Sequence, residues 1–354
     1  MSDVLVVGAG IIGASIAYHA ARAGASVRVV DKSLPGSGVT ADSFAWIGAA
    51  GDAPPSTEGI YRTVLEDYRR LETQLPRVRV RWTGSVTWSE AVPTDSGDLG
   101  PGQRLVDTAE IARLEPNLRT PPRWAVFTAS DGAVDPVEVT EALVEAARGH
   151  GAQVALGVAV RGLRVQEGRV VGVDTSTGFV AAGTVVLAAG VDTPGLCAPL
   201  GLVLPVGPSP ALLLRYAGPP GIIRTLLASP GLEARQTGDR ELLVARPYRG
   251  ETSRADLART ARETSERLRA MFEHGEELQP AGIRLGMRPM PSDEVPVIGP
   301  TAVAGVYVAV MHAGVTLAPT VGRLVAGELT DRADADELRR CRPGRLLRNS
   351  TVVT

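Results

Sequence analysis

The sequence predicts an α/β fold: a Rossmann-like dinucleotide-binding domain interleaved with an antiparallel α+β domain. Three observations predict it. Residues 4–7 form a short apolar run that passes directly into glycines and then into an Ala-rich stretch of helical character. Apolar runs at 184–188 and 306–310 are continuous, and 27–30 is apolar but for Arg28, as strands buried in a parallel sheet require. Between 204 and 287 the pattern changes to alternation, as in ALLLRY and ELLVARPY, which fits an antiparallel sheet with two unlike faces.

The elements follow in order. A strand is expected at 4–7, a helix at 11–24 stopped by Gly24, and a strand at 27–30 ended by Asp31. A Gly/Ser/Ala loop covers 36–50, and a charged helix 56–75. The run VRVRWTGSVTW at 77–88 alternates in the manner of strands, and 93–102 is a polar loop. A short helix is expected at 108–114 and a longer one at 136–150, with Asp135 as its cap. Segments 154–160, 161–166 and 170–175 read as a small β-meander. Gly190 closes the strand at 184–188. A charged helix is expected at 254–272, and Gly314 opens a last helix running to about Thr330. The Arg-rich chain after Asp331 reads as loosely held. These elements assign 1–76, 131–204 and 285–345 to the dinucleotide-binding domain and 77–130 and 205–284 to the second domain, with 346–354 as a loose tail.

Composition narrows the function classes. With 37 basic and 39 acidic residues the formal charge is -2, so nothing points to nucleic acid or to a charged membrane surface. No window of about 18 uninterrupted apolar residues exists, so no membrane span is expected. Cys197 and Cys341 lie far apart, without metal-ligand spacing or a disulfide framework. No metal site is expected, and a reducing cytoplasm fits best. The start reads as a first strand and not as a signal peptide, because no basic segment precedes its apolar stretch.

Gly8-Ala9-Gly10-Ile11-Ile12-Gly13 is a G-x-G-x-x-G. Alone such a motif is weak. Here it follows a strand, opens a helix, and precedes an acid, Asp31, at the end of the next strand. Gly8 allows the tight turn, Gly10 lets a pyrophosphate approach the backbone, and Gly13 lets the helix pack on the sheet. The helix start offers the N–H groups of Ile11 and Ile12 and a positive dipole end. Asp31, with Lys32 beside it, faces the ribose, and an acid there disfavours NADP. The motif does not separate FAD from NAD. Its N-terminal position and the long loop after Asp31 favour FAD.

Six segments in order resemble the D-amino-acid oxidase superfamily, which includes glycine oxidases, sarcosine oxidases and D-amino-acid dehydrogenases. They are VVGAGIIGASIAYHAARAGASVRVVDK, SGVTADSFAW, DGAVDP, GRVVGVDTSTGFVAAGTVVLAAG, GMRPMPSDEVPVIGP and GVYVAVMHAGVTLAP. The resemblance implies an FAD-binding domain interleaved with a substrate domain, and oxidation of the C–N bond of an amino acid or amine to an imine, with oxygen or another molecule as electron acceptor. It implies that the loop of Thr40, Ser43, Phe44, Ala45 and Trp46 passes the pyrophosphate and flavin ring, with Trp46 either against the flavin or in the core. Val160 falls at the backbone contact to adenine, at the end of a meander strand. Ala189 and Gly190 match the turn near ribose and phosphate. Gly314, Val315, Thr316 and Leu317 match the helix start that faces the flavin's pyrimidine end.

Arg288 matches the arginine that grips a substrate carboxylate, a task suited to its bidentate fork, and it counts among the cofactor's neighbours too. His312 and Tyr248 are the further catalytic candidates, with Arg246 as a pocket neighbour of Tyr248. There are departures from the family pattern. Met311 and Thr316 replace glycines of G-H-x-x-x-G. The stretch Leu285-Gly286-Met287 lacks the flavin-linking cysteine of sarcosine oxidases, so FAD is expected to be non-covalent. Two other readings are a flavin-binding subunit of a multi-chain dehydrogenase and an NAD-dependent dehydrogenase. The fifth and sixth segments argue against the latter.

Overall fold

A computed structural model describes residues 2–48, 55–89, 99–100, 102–331 and 333–347. Positions 93–98 and 101 of the polar loop expected at 93–102 lie outside the described residues, as do positions 49–50 of the Gly/Ser/Ala loop and the tail from 348.

Two eight-stranded sheets organise the chain. The first has, in spatial order, Val297–Pro300, Val306–Val310, Gly178–Leu187, Ser2–Val7, Val27–Asp31 and Gln153–Leu156. From Val306–Val310 onward its neighbours pair in parallel. The continuous apolar runs are buried because helices cover this sheet. Ile11–Arg22 and Gly314–Asp331 pack together over it, with Pro136–Gly149 beside them. As expected, Asp135 caps the latter helix, accepting from the Val137 and Glu138 N–H groups at 2.9 and 3.0 Å.

The second sheet is mainly antiparallel. Its order is Gln279–Pro291, Val206–Ala217, Glu241–Pro247, Leu232–Gln236, Leu226–Ser229, Ser85–Thr87, Trp124–Thr128 and Gln103–Asp107. Strand alternation gives it two faces. Leu212, Leu214, Leu242 and Val244 point into a core that includes Leu268 of the helix Arg254–Met271. Leu213 and Leu243 point the other way, to Phe44 and Trp46. A two-stranded ribbon, Trp46–Ile47 with Gly132–Ala133, stands apart from both sheets.

Four local expectations are corrected. The run 77–88 yields one short strand, Ser85–Thr87; ahead of it Glu72 captures the Val80 N–H that a ladder would need and also accepts from the Trp82 indole. The first strand expected in the meander is Gln153–Leu156, which instead pairs in parallel with Val27–Asp31. The meander is completed by the first half of Gly178–Leu187. The helix expected at 56–75 is broken at Arg62–Thr63 into Glu58–Tyr61 and Val64–Gln74. The chain after Asp331 is held up to 347. Leu338 and Cys341 are fully buried, Arg342 pairs with Glu328, and Arg345 pairs with Asp293 at 2.8 Å.

Candidate functional site

The glycine motif turns at the C-terminal end of the first strand. Gly8 has φ +108°, a conformation that disfavours a side chain, and its N–H donates to the Val30 carbonyl at 2.9 Å. A Cβ on Gly13 would run into the Gly8 carbonyl oxygen, so only glycine lets the helix sit this close to the turn. Gly10 is the N-cap of Ile11–Arg22 and supplies no capping side chain. Thr40 reaches back across the sequence: its Oγ1 accepts the Ile11 N–H at 3.3 Å. The first-turn donors beyond it have no intrahelical partner, which is how a helix start presents itself to phosphate.

Asp31 has a role the sequence did not disclose. Its two oxygens accept the Ala9 N–H at 2.6 Å and the Ser33 N–H at 2.7 Å, fastening the glycine turn to the second strand. A carboxylate has about four lone-pair sites, so acceptor capacity for ribose hydroxyls remains. Lys32 bonds to Asp192 at 2.6 Å, which ties this edge to the turn at Ala189 and Gly190. Ala189 lies against Gly8. Val160 opens a meander strand, where the end of one was expected. It packs, half-buried, in the same cluster as Val7 and Val30.

The loop 40–46 lies between the two sheets. Asp42 pairs with Arg284 at 2.5 Å, and the Ser43 hydroxyl accepts the Ala45 N–H at 3.1 Å. The Phe44 carbonyl accepts from Arg235 at 2.7 Å. Trp46 donates its indole N–H to Asp131 at 3.0 Å, and its carbonyl accepts from the Thr316 hydroxyl at 2.7 Å. Burial pushes the Asp131 carboxyl up, and its bonds from Ser85 and Trp46 act against this. The last helix meets the first at their N-termini, where Gly314 faces Ile12. Val315 is fixed by the Tyr68 hydroxyl, which donates to its carbonyl at 2.5 Å, and Leu317 is fully buried. Two positive helix ends therefore converge on one region lined by backbone N–H groups. These residues fit an extended, anionic dinucleotide such as FAD.

Arg288 lies on the long strand Gln279–Pro291. Its Nε donates to the Ser209 carbonyl at 3.2 Å and its Nη2 to the Ser209 hydroxyl at 2.8 Å. Of a guanidinium's five N–H donors, this leaves about three for a ligand. Burial lowers its pKa, and Glu233 acts against that. His312, half-buried just before the last helix, is drawn down to about 4 by burial and then by the Arg288 charge. The structure thus brings Arg288 and His312 together beside the helix start at Gly314.

It does not bring Arg246 to them. Arg246 is opposite Leu212, on the face covered by Arg254–Met271, and its Nη1 donates to Thr264 at 3.1 Å. Alternation by one residue explains the miss. Tyr248 lies one residue past the end of Glu241–Pro247, half-buried. The sequence reading did not single out Asp131, Arg235 or Glu233, whose positions depend on long-range pairing. Among the described residues no group of three or more His, Cys, Asp or Glu could hold a metal, and no helix is long and apolar enough to cross a membrane.

Comparison with known proteins agrees with this geometry. The family model DAO, FAD dependent oxidoreductase, matches residues 3–328. The bifunctional protein ThiO/ThiG of Trichormus variabilis is 25% identical over 93% of this chain and 53% of its own length, so the chain spans about half of that relative. A D-amino acid dehydrogenase of Methylobacterium nodulans is 28% identical over 93% of this chain and 96% of its own. The structure of L-proline dehydrogenase from P. horikoshii superposes with a TM-score of 0.86 at 21% identity, covering 98% of both chains, which establishes the shared fold.

Proposed function

Because the chain belongs to the DAO family of FAD-dependent oxidoreductases, enzymes acting on amino acids or amines, we propose that it oxidises the C–N bond of a carboxylate-bearing amine to an imine, which water then hydrolyses. Bound FAD supplies the acceptor for the substrate's α-hydride. In this reading the mainly parallel sheet and its helices hold the cofactor, and the antiparallel sheet carries the substrate. The two helix starts at Ile11 and Gly314 bind the anionic parts of the cofactor. Asp31 takes its ribose.

The observation that carries the substrate reading is the position of Arg288. Its guanidinium is oriented by Ser209 and keeps free donors beside His312, at the end of the cofactor region. A carboxylate gripped there aligns the adjacent C–H bond for transfer, an effect of orientation that needs no dedicated base. His312 is neutral at ordinary pH, so it acts as a hydrogen-bonding wall and holds no positive charge against the substrate amine. FAD is held non-covalently in this reading. Burial pushes the Cys197 and Cys341 thiols up to about 11, away from the thiolate form that reacts.

The test is anaerobic mixing of the purified yellow protein with D- and L-amino acids, glycine, sarcosine and simple amines. Bleaching of the flavin bands by amino acids, with release of free FAD on denaturation, is the expected result. Bleaching only by amines that lack a carboxylate would refute the role of Arg288.

A further inference from the structure

Beside the strand Leu232–Gln236 lies a cavity of about 280 Å3 that the reaction proposed above does not use. Arg81, Arg224 and Arg235 line it, and Asp239 is the one acid among the described residues that do so. Neither Arg288 nor His312 lines it. Arg235 is opposite Leu243, Leu243 is opposite Arg215, and Arg215 is opposite Gly282 on the strand of Arg288. The backbones of Arg235 and Arg288 are therefore three strands and six residues apart, about 14 Å across the sheet and about 20 Å along it.

Arg81 and Arg224 meet solvent, whereas Arg235 is 3% exposed. Among the described residues the guanidinium groups of Arg81 and Arg224 make no hydrogen bond or ion pair. Arg235 donates through Nε and Nη2 to the carbonyls of Phe44 and Val134, and its Nη1 has no acceptor among the described residues. Burial draws its pKa down to about 10, with Asp135 acting against this and the Arg81 charge acting with it, so the group stays charged at neutral pH. The acids around the cavity are engaged elsewhere. Asp135 caps its helix, Glu241 pairs with Arg215 at 2.8 Å, and Glu115 accepts from the Thr225 hydroxyl and the Arg224 N–H. Three guanidinium groups against the single carboxylate of Asp239 leave the lining with an excess of positive charge. A desolvated charge without full pairing is costly, and an anion placed against it offsets that cost.

A guanidinium presents its donors as a planar fork that matches the oxygens of phosphate and carboxylate. The cavity has room for more than a bare oxyanion and lies near the lower end of the range for small-molecule sites, roughly 300–1,000 Å3. We propose that it binds a small organic anion through a phosphate or carboxylate group, with Arg235 at the buried end and Arg81 and Arg224 flanking the anion from the solvent side. This site is separate from the grip of Arg288 on substrate and does not depend on it.

The experiment is calorimetric titration of the holoenzyme with inorganic phosphate, glycerol 3-phosphate and malonate at one ionic strength. It uses the Arg288→Met background, so that a carboxylate held at that arginine adds no heat. Saturable binding at a single site is expected. Tighter binding of the two phosphates than of malonate identifies a phosphate ligand, and the reverse order a carboxylate ligand. Arg81→Gln and Arg224→Gln, both on exposed side chains, should each weaken binding about tenfold, the loss of one charge-assisted contact. Asp239→Asn should tighten it. Arg262→Gln, on an exposed face of the helix Arg254–Met271 and outside the lining, removes the same charge and should leave binding unchanged. Thermal melts give a second reading: saturating anion should raise the melting temperature, and the double variant Arg81→Gln/Arg224→Gln should lose that rise. Binding of none of the three anions overturns the proposal. So does binding that Arg81→Gln and Arg224→Gln leave intact, or that Arg262→Gln weakens as much as they do, since the anion would then answer only to net surface charge.

Discussion

Arg235 donates through Nε to the Phe44 carbonyl at 2.7 Å, tying the loop 40–46 to the antiparallel sheet from beneath. Its Nη2 reaches the Val134 carbonyl at 2.9 Å. The side chain is 3% exposed, and burial lowers its pKa to about 10, with Asp135 acting against this. A buried guanidinium that satisfies two carbonyls leaves both unpaired when it is removed. Arg235→Met should cost about 3 kcal/mol of stability, and it should loosen cofactor binding because Phe44 lies in the loop proposed to pass the cofactor. Thermal melts together with the ratio of flavin to protein absorbance check this. A variant that melts like the wild type and stays fully yellow would show that the loop does not need this anchor.

A second tether to the same loop comes from the last helix. Thr316, which stands where the family pattern often has glycine, donates its hydroxyl to the Trp46 carbonyl at 2.7 Å. The departure from the pattern thus links two segments proposed to hold the cofactor. Thr316→Val keeps the shape and removes the bond, and should cost about 1–2 kcal/mol. Thr316→Gly should cost more, through the added helix penalty of roughly 1 kcal/mol. Urea titration of both variants gives the order, and the reverse order would refute the tether.

How much of this was legible in the sequence depends on range. The turn at Gly8, the helix starts at Ile11 and Gly314, and the cap at Asp135 follow from neighbouring residues, so local pattern was enough. Asp31 was legible as an acid at a strand end, but its grip on the Ala9 N–H was not, because that bond crosses 22 residues. Glu233 and Arg235 come to the face of the sheet that meets Phe44 only through pairings that join 233 to 245 and 213 to 245. Arg246 shows the same limit from the other side. Its strand was read correctly, but the face it points to is set by register, and a shift of one residue reverses every side chain.

The claim on Arg288 is separable from cofactor binding, because its fixed partners are the backbone and hydroxyl of Ser209. Arg288→Met should leave the protein yellow. It should raise KM for carboxylate substrates roughly 100-fold, the loss of about 2–3 kcal/mol from a charged bidentate contact, while KM for benzylamine should move far less. Equal changes for both kinds of substrate would mean that Arg288 shapes the site and does not bind the carboxylate.

Two histidines set the response of stability to acid. His312 is lowered to about 4 by burial and by Arg288. His19 is lowered to about 4 by burial first and then by Arg22, with Asp67 acting the other way, and its Nε2 has no partner. An unfolded histidine titrates near 6.5. Between pH 6.5 and 4 the unfolded chain therefore binds more protons than the folded one, so stability falls as pH falls through that window. Above 6.5 both forms are neutral and the effect is absent. His19 alone should remove about 2–3 kcal/mol between neutral pH and pH 4. Urea midpoints at pH 7 and pH 4.5, for the wild type and His19→Gln, measure it. The variant should lose less stability on acidification, because glutamine has no proton to gain. Parallel losses in the two proteins would place the acid sensitivity elsewhere, in the carboxylates that lie beside arginines, such as Asp67, whose pKa is lowered with help from its bonds to Arg323 and Thr63.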